Sequence, residues 1–246
     1  MLVDTDTCQR IIDLNRQFYQ RFAQPFSLTR RRLQPGVHRI LEHAPLQANW
    51  LDLGCGNGEL WRALAGRGQR GLYLGVDFSA ELLRAAEQRL PAAPADFSRR
   101  FIQADLTSSD WAERIPPAPL DVATAFAVMH HLPGRETRLR FLQQLRRLMA
   151  LTGRVYLSNW QFLNSKRLRE RIQPWEAIGL SQEQVEPGDY LLDWRQGGHG
   201  LRYVHHFDQA ELSELADESG FRILETFYSD GEGGRLSIYQ TWEPVE

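Results

Sequence analysis

Residues 51–59 read Leu-Asp-Leu-Gly-Cys-Gly-Asn-Gly-Glu and stand where a strand-like run gives way to a helical one. Glycines at such a junction permit a tight turn and let a ligand approach the backbone at the carboxyl edge of a sheet. A pyrophosphate-cradling pattern begun at Gly54 and Gly56 would want a third glycine at position 59, where this chain carries Glu59. A carboxylate in the first helical turn repels phosphate, which argues against NAD and FAD. No Gly-Lys-Ser/Thr follows, so the triphosphate-binding loop is excluded as well. Two further acids end later strand-like runs: Asp77 in Gly-Val-Asp-Phe-Ser and Asp105 in Ile-Gln-Ala-Asp-Leu. Asp77 is placed to accept from ribose hydroxyls, Asp105 from an adenine amino group, and Asp52, beside the glycine turn, suits an ammonium. Three carboxylates around one crevice select a ligand that is cationic, bears a nucleoside and lacks phosphate. S-adenosylmethionine meets that description, with S-adenosylhomocysteine as its product. The expected cofactor contacts are Asp52, Gly54, Cys55, Gly56, Gly58, Asp77, Phe78, Asp105, Leu106 and Phe126.

Methyl transfer from a sulfonium is an in-line displacement, which asks the protein for alignment, exclusion of water and, for some nucleophiles, a proton acceptor. The candidates outside the cofactor motifs are Arg30 in an opening segment, His130 and His131 after the fourth strand-like run, and Arg202, Tyr203 and His205 in the last third. A carboxylate nucleophile is already ionised at neutral pH and needs no base. Arg30 or Arg202 could orient it through a planar fork of N–H groups, or hold a phosphate instead. His130 and His131 could hydrogen-bond the acceptor; His131 reads equally well as a histidine packed under a lid.

These groups need a frame. Strand-like runs at 48–53, 71–76, 100–104, 120–126 and 153–158 alternate with helical stretches at 59–65, 80–90 and 136–150, and two closing strands are expected at 221–228 and 236–242. The alternation predicts an α/β fold with a doubly wound, mostly parallel seven-stranded sheet. Apolar spacing predicts an opening helix over 8–23 and a second after Pro35, while 208–220 reads as a helix with Asp208 as N-cap and Gly220 beyond its end. One domain is expected: 1–47 as N-terminal helices and lid, 48–160 as cofactor-binding core, 161–206 as an insertion or cap poor in periodicity, and 207–246 as closing helix and strands.

Residues 48–160 resemble the class I S-adenosylmethionine-dependent methyltransferases, through DLGCGNG, the GVD acid, the AD pair and LDVATAFAVMHHL. The resemblance implies their Rossmann-like fold and their cofactor. The flanks are similar to one subgroup, the tRNA wobble-uridine carboxymethyl methyltransferases, in YQRFAQPFSLTR, AVMHH, SNWQF and RYVHHFDQAELSELADESGF. That likeness implies tRNA as partner and methyl esterification of a carboxymethyl group; the eukaryotic members also use a small zinc-binding activator protein. Glu59, where the family commonly has a basic residue, and LQPG, where it has Trp-Pro, depart from the pattern. The rival readings are a methyltransferase of a small carboxylate, phenol or quinone metabolite, and a catalytically silent cofactor-binding subunit.

Composition adds bounds. The 246 residues carry a net charge of −2, with about +6 over the first 160 and −8 over the last 40, and 28 of the 29 basic residues are arginine. Cys8 and Cys55 form no CxxC pair, so neither a disulfide framework nor a metal site is expected. The N-terminal residues lack a secretory pattern and no apolar run approaches a membrane span, which leads to the expectation of a cytoplasmic protein.

Overall fold

The computed structural model describes residues 3–29 and 32–245, with backbone alone for 23–29. The chain opens with α1 (Thr5–Thr29), whose helical geometry breaks at Phe22, and α2 (Pro35–His43), with proline in its first turn. Strands and helices then alternate: β1 (Trp50–Leu53), α3 (Glu59–Gly66), β2 (Gly71–Asp77), α4 (Ala80–Arg89), β3 (Phe97–Gln103), β4 (Leu120–Phe126), α5 (Arg135–Leu148) and β5 (Met149–Trp160). Next come α6 (Lys166–Arg169), β6 (Ile172–Gln173), β7 (Asp189–Trp194) and β8 (Gly200–His205), before α7 (Gln209–Glu218), β9 (Phe221–Ser229) and β10 (Ser237–Pro244). As expected, Asp208 caps α7, its side chain accepting from the Glu211 amide at 2.8 Å.

Seven strands form one sheet in the order β3-β2-β1-β4-β5-β10-β9, parallel except where β10 pairs antiparallel with β5 and β9. This is the Rossmann-like class I methyltransferase architecture. The chain runs outward from β1 to β3 and then crosses back to β4, so the order reverses between β1 and β4. A crevice opens at the carboxyl ends of such a pair. All four residues of β1 are buried, and their alternation sorts two cores. Leu51 and Leu53 pack with Phe141, Leu142, Leu212 and Leu215, whereas Trp50 packs with Val37, Ile40 and Trp61 on the opposite face. Asp52 shares the parity of Trp50 and is buried beside it.

The stretch 161–206, expected only as an irregular cap, contains a second, three-stranded sheet in the order β6-β7-β8, antiparallel throughout. α1 packs on it: Ile11 joins Trp175, Leu191 and Tyr203, and Phe18 and Phe22 join Trp194. A buried polar cluster fastens this sheet to the main body. Arg138 of α5 pairs with Glu186 and, at 3.3 Å, with Glu211, and it donates to the Leu132 carbonyl at 3.1 Å. The Tyr203 hydroxyl donates to Asp189 at 2.8 Å, and His205 bridges Asp189 at 2.6 Å and Glu211 at 2.8 Å. Burial works against a charged His205, but the two carboxylates outweigh it and raise the imidazole above its ordinary value. None of the described helices is long and apolar enough to cross a membrane.

Removing Arg138 leaves buried acids uncompensated, so Arg138→Ala should lower unfolding stability by about 3–5 kcal/mol in a urea titration. Arg222→Ala, which breaks a surface pair with Glu243, should leave the midpoint close to that of the wild type.

Candidate functional site

A cavity of about 380 Å³ lies at the carboxyl ends of β1 and β4. Gly54 turns the chain there at φ +71°, and a Cβ on it would stand 2.6 Å from the Val128 side chain. Gly56, at φ +54°, faces open space, and its amide donates to Asp77 Oδ2 at 2.9 Å. Asp77 Oδ1 accepts from the Ser79 amide at 2.9 Å, so one carboxylate ties the glycine turn to the end of β2 and to the start of α4. Burial raises the Asp77 pKa, although backbone hydrogen bonds from Ser79 and Gly56 temper the effect. Asp52 accepts from the hydroxyls of Tyr73 and, at 2.7 Å, Thr124, yet burial still pushes it up to about 6. Two desolvated carboxylates beside a bare glycine turn gain from a ligand that brings a positive charge and hydroxyl donors. The residues fit the expected cofactor.

Of the expected cofactor contacts, Asp52, Gly54, Cys55, Gly56, Asp77, Phe78, Asp105, Leu106 and Phe126 all line this cavity. Gly58 does not: it precedes α3 at φ +79°, and a Cβ there would meet Leu90 and Phe101, so its role is helix packing. Asp52 is not simply a free acceptor for an ammonium, because Tyr73 and Thr124 engage both of its oxygens. Asp105 is likewise engaged. Its Oδ2 pairs with Arg16 at 2.7 Å, and its Oδ1 accepts from the Thr107 amide and hydroxyl at 2.9 and 2.7 Å. Burial would raise the Asp105 pKa, but hydrogen bonds from Thr107 and Arg16 outweigh it and hold the carboxyl below its ordinary value. Cys55 is a buried thiol pushed well above its ordinary pKa by desolvation and the nearby acids, which leaves it inert as a nucleophile.

The other half of the cavity is walled by Tyr19, Val37, His130, His131, Trp160 and Tyr239, among others. His130 and His131 follow Ala127, a non-glycine residue at φ 57° whose amide donates to the Ser158 carbonyl and hydroxyl, both at 3.0 Å. That left-handed turn costs about 1–2 kcal/mol and directs both histidines to the crevice. His130 Nδ1 accepts from the Trp160 amide at 3.3 Å, while His131 Nδ1 faces the Tyr203 carbonyl at 3.3 Å and so carries a proton.

Arg202 is buried behind Trp160, its guanidinium 4.9 Å from that ring, 5.3 Å from Trp194 and 5.6 Å from Phe18. Burial lowers its pKa, an effect partly offset by the nearby Tyr19. Tyr203 and His205, expected at the same site, point to the other face of β8 and lie in the Arg138 cluster. The correction has a simple cause, since adjacent strand residues face opposite ways. Arg30 lies outside the described residues. Asn15, Arg16 and Tyr19 of α1 were missed: with Ile12 they form its cavity-facing stripe at helical spacing. Asn15 accepts from the Tyr203 amide at 2.8 Å and donates to the carbonyls of Tyr203 and His131, both at 3.3 Å.

Residues 19–226 match a family model described as a methyltransferase domain. Over 240 aligned residues the chain is 27% identical to the tRNA (carboxymethyluridine(34)-5-O)-methyltransferase of Schizosaccharomyces pombe, covering 86% of this chain and 90% of that one. It is 34% identical over 150 residues to the trans-aconitate 2-methyltransferase of Azoarcus sp., covering 60% of this chain and 55% of that protein. A SAM-dependent methyltransferase from Methanosarcina mazei shares the fold with a TM-score of 0.65 at 22% identity, covering 87% of this chain and 98% of that one. The relatives thus include both tRNA-modifying and small-molecule enzymes.

Two expectations follow for the cofactor half. Asp77→Ala should weaken S-adenosylmethionine binding some ten- to hundredfold, about 1.5–3 kcal/mol, by calorimetry. Asp52 has a raised pKa in the fold, so the stability it permits is fully present below its unfolded value of 3.8 and is lost as pH rises through about 6. Asp52→Asn, whose amide can still pair with both hydroxyls, should raise the ligand-free melting temperature over wild type more at about pH 8 than at about pH 5.

Proposed function

The chain belongs to the methyltransferase-domain family and is an S-adenosylmethionine-dependent methyltransferase, and from that premise we propose that it esterifies a carboxylate. The observation that carries this reading is Arg202, a buried guanidinium with no ion pair to any described carboxylate, set against the ring of Trp160 at the cavity wall. A buried cation without a counter-charge is costly, and an acceptor carboxylate would supply one. The cofactor, when bound, supplies an electrophilic methyl group on its sulfonium. The chain's own residues orient the acceptor and exclude water: Trp160 and Tyr19 close the wall, and the histidines offer hydrogen bonds to the acceptor. No base is required, because a carboxylate is ionised at neutral pH.

We place a small metabolite acid first. A cavity of about 380 Å³ shared between cofactor and acceptor suits such a molecule, and the name of the Azoarcus relative contains aconitate, a polycarboxylate. The near full-length match to the S. pombe enzyme supports a second version, in which the acid is a carboxymethyl group on the wobble uridine of tRNA. Both versions share the carboxylate.

The test uses methyl-tritiated S-adenosylmethionine with a mixture of di- and tricarboxylic acids and, separately, with bulk tRNA. Methyl esters release volatile methanol in alkali, whereas N-methyl and phenol ether products do not. Alkali-labile label on the acids is expected; labile label confined to tRNA would select the second version, and stable label would overturn the carboxylate reading. Arg202→Ala should abolish transfer while cofactor affinity stays within about twofold, and Arg202→Lys should restore little because an ammonium lacks the planar fork.

A further inference from the structure

Ala127 and Asp230 are the two non-glycine positions among the described residues with a left-handed backbone, and both line the cavity. Asp230, at φ 71°, opens the loop between β9 and β10, which begins Asp-Gly-Glu-Gly-Gly. Glycine adopts that region freely, as Gly231, Gly233 and Gly234 do in the same loop. An aspartate held there points to a use for its side chain. That side chain is buried, and each of its oxygens meets a donor from a different element. Oδ1 accepts from the Gly36 amide at 3.0 Å, and Oδ2 accepts from the Tyr239 hydroxyl at 2.6 Å. The Gly36 amide lies in the first turn of α2, where no partner exists within the helix and the N-cap Gln34 side chain supplies none. Asp230 thus caps α2 from 194 positions away. The fit is close, since a Cβ on Gly36 would stand 2.2 Å from the Tyr239 ring. Farther along the helix Arg39 lies 4.0 Å over Phe227, which stacks on Tyr239 at 5.1 Å. Gln34 and Val37, at the start of this helix, line the cavity together with Tyr239.

We propose that Asp230 is a positioning residue for the acceptor: its carboxylate staples the first turn of α2 to Tyr239 and so sets the wall that Val37 and Tyr239 present to the acceptor. The proposal rests on the reading of that wall as the acceptor's, but the staple itself does not. A wall fixed before the acceptor arrives spares the cost of ordering it on binding. Three roles for residue 230 separate under substitution. If it only makes the turn, glycine serves as well or better. If its charge is used, asparagine fails. If it is the staple, glycine fails and asparagine serves. The asparagine oxygen can accept from Gly36, its NH2 can donate to the Tyr239 oxygen, and it tolerates the left-handed region.

The test compares Asp230→Gly and Asp230→Asn in the full chain. In amide hydrogen exchange followed by nitrogen-15 spectra, Gly36 should exchange about tenfold or more faster in Asp230→Gly and close to the wild-type rate in Asp230→Asn. Equal exchange in Asp230→Gly and wild type would overturn the staple. The kinetics use whichever of the di- and tricarboxylic acids or bulk tRNA takes label from the wild type. The apparent KM for that acceptor should rise about tenfold or more in Asp230→Gly and stay within about threefold in Asp230→Asn. In both variants kcat should change less than about threefold and cofactor affinity less than about twofold. An unchanged KM in Asp230→Gly, or a loss in Asp230→Asn as large as in Asp230→Gly, would overturn the positioning role. Alkali-stable label from the wild type would overturn the carboxylate reading and leave this comparison intact.

Discussion

Buried charge that the chain does not fully compensate is the constraint from which the site follows. A protein interior normally pairs or solvates its ions, because desolvation costs more than a single hydrogen bond returns. The Arg138 cluster obeys that rule, with Glu186, Glu211 and a hydrogen-bonded Asp189 around one guanidinium. The cavity does not. On one side Asp52 and Asp77 are raised by burial although hydroxyls and amides serve them, and on the other Arg202 is lowered by burial among aromatic rings. Desolvated acids at the glycine turn suit a cationic cofactor, and the buried arginine behind Trp160 is the ground on which a carboxylate acceptor is proposed.

The two walls have different architectural origins. The cofactor wall is built by loops at the ends of parallel strands, where the reversal between β1 and β4 opens space without further construction. The acceptor wall borrows from outside that sheet. α1 supplies Asn15, Arg16 and Tyr19, β5 supplies Trp160, and the inserted sheet places Arg202 behind that ring. Asn15 satisfies both backbone groups of Tyr203 and so seats α1 on β8, while Arg16 reaches across to Asp105. The first wall carries the cofactor motif, and the proposal assigns acceptor selectivity to the second.

The same division explains what could be read in the sequence. The seven strands announce themselves because β1, β2 and β4 are near-continuous apolar runs and the helices between them keep a regular stripe. β3 starts at Phe97, three residues before its expected onset, since Ser98, Arg99 and Arg100 on an outer strand do not look apolar. The inserted sheet was invisible for a stronger reason. β6 has two residues, and β7 buries Asp189, a charge whose partners Tyr203 and His205 lie more than a dozen positions away. A pattern method assigns such an acid to the surface. Asp77 was legible because its partner Gly56 belongs to a recognisable turn, whereas the pairing of Asp105 with Arg16, 89 positions apart, leaves no local trace. Residues 200–205 form a strand, in which Arg202 faces one side and Tyr203 and His205 the other.

The contact between α1 and β8 also has a meaning in time. Asn15 and Tyr203 are 188 positions apart, and Phe18 and Phe22 find their apolar partner only at Trp194. At ordinary translation rates of about 5–20 residues per second, α1 leaves the ribosome on the order of ten to forty seconds before the surface it covers exists. Through that interval Ile11, Phe18 and Phe22 form an apolar stripe on a nascent helix with nothing native to cover it, a segment suited to a holding chaperone. The β1–β4 framework of the cofactor wall is synthesised well before the strand that carries Arg202, so the two halves of one cavity are completed at different moments of the chain's birth.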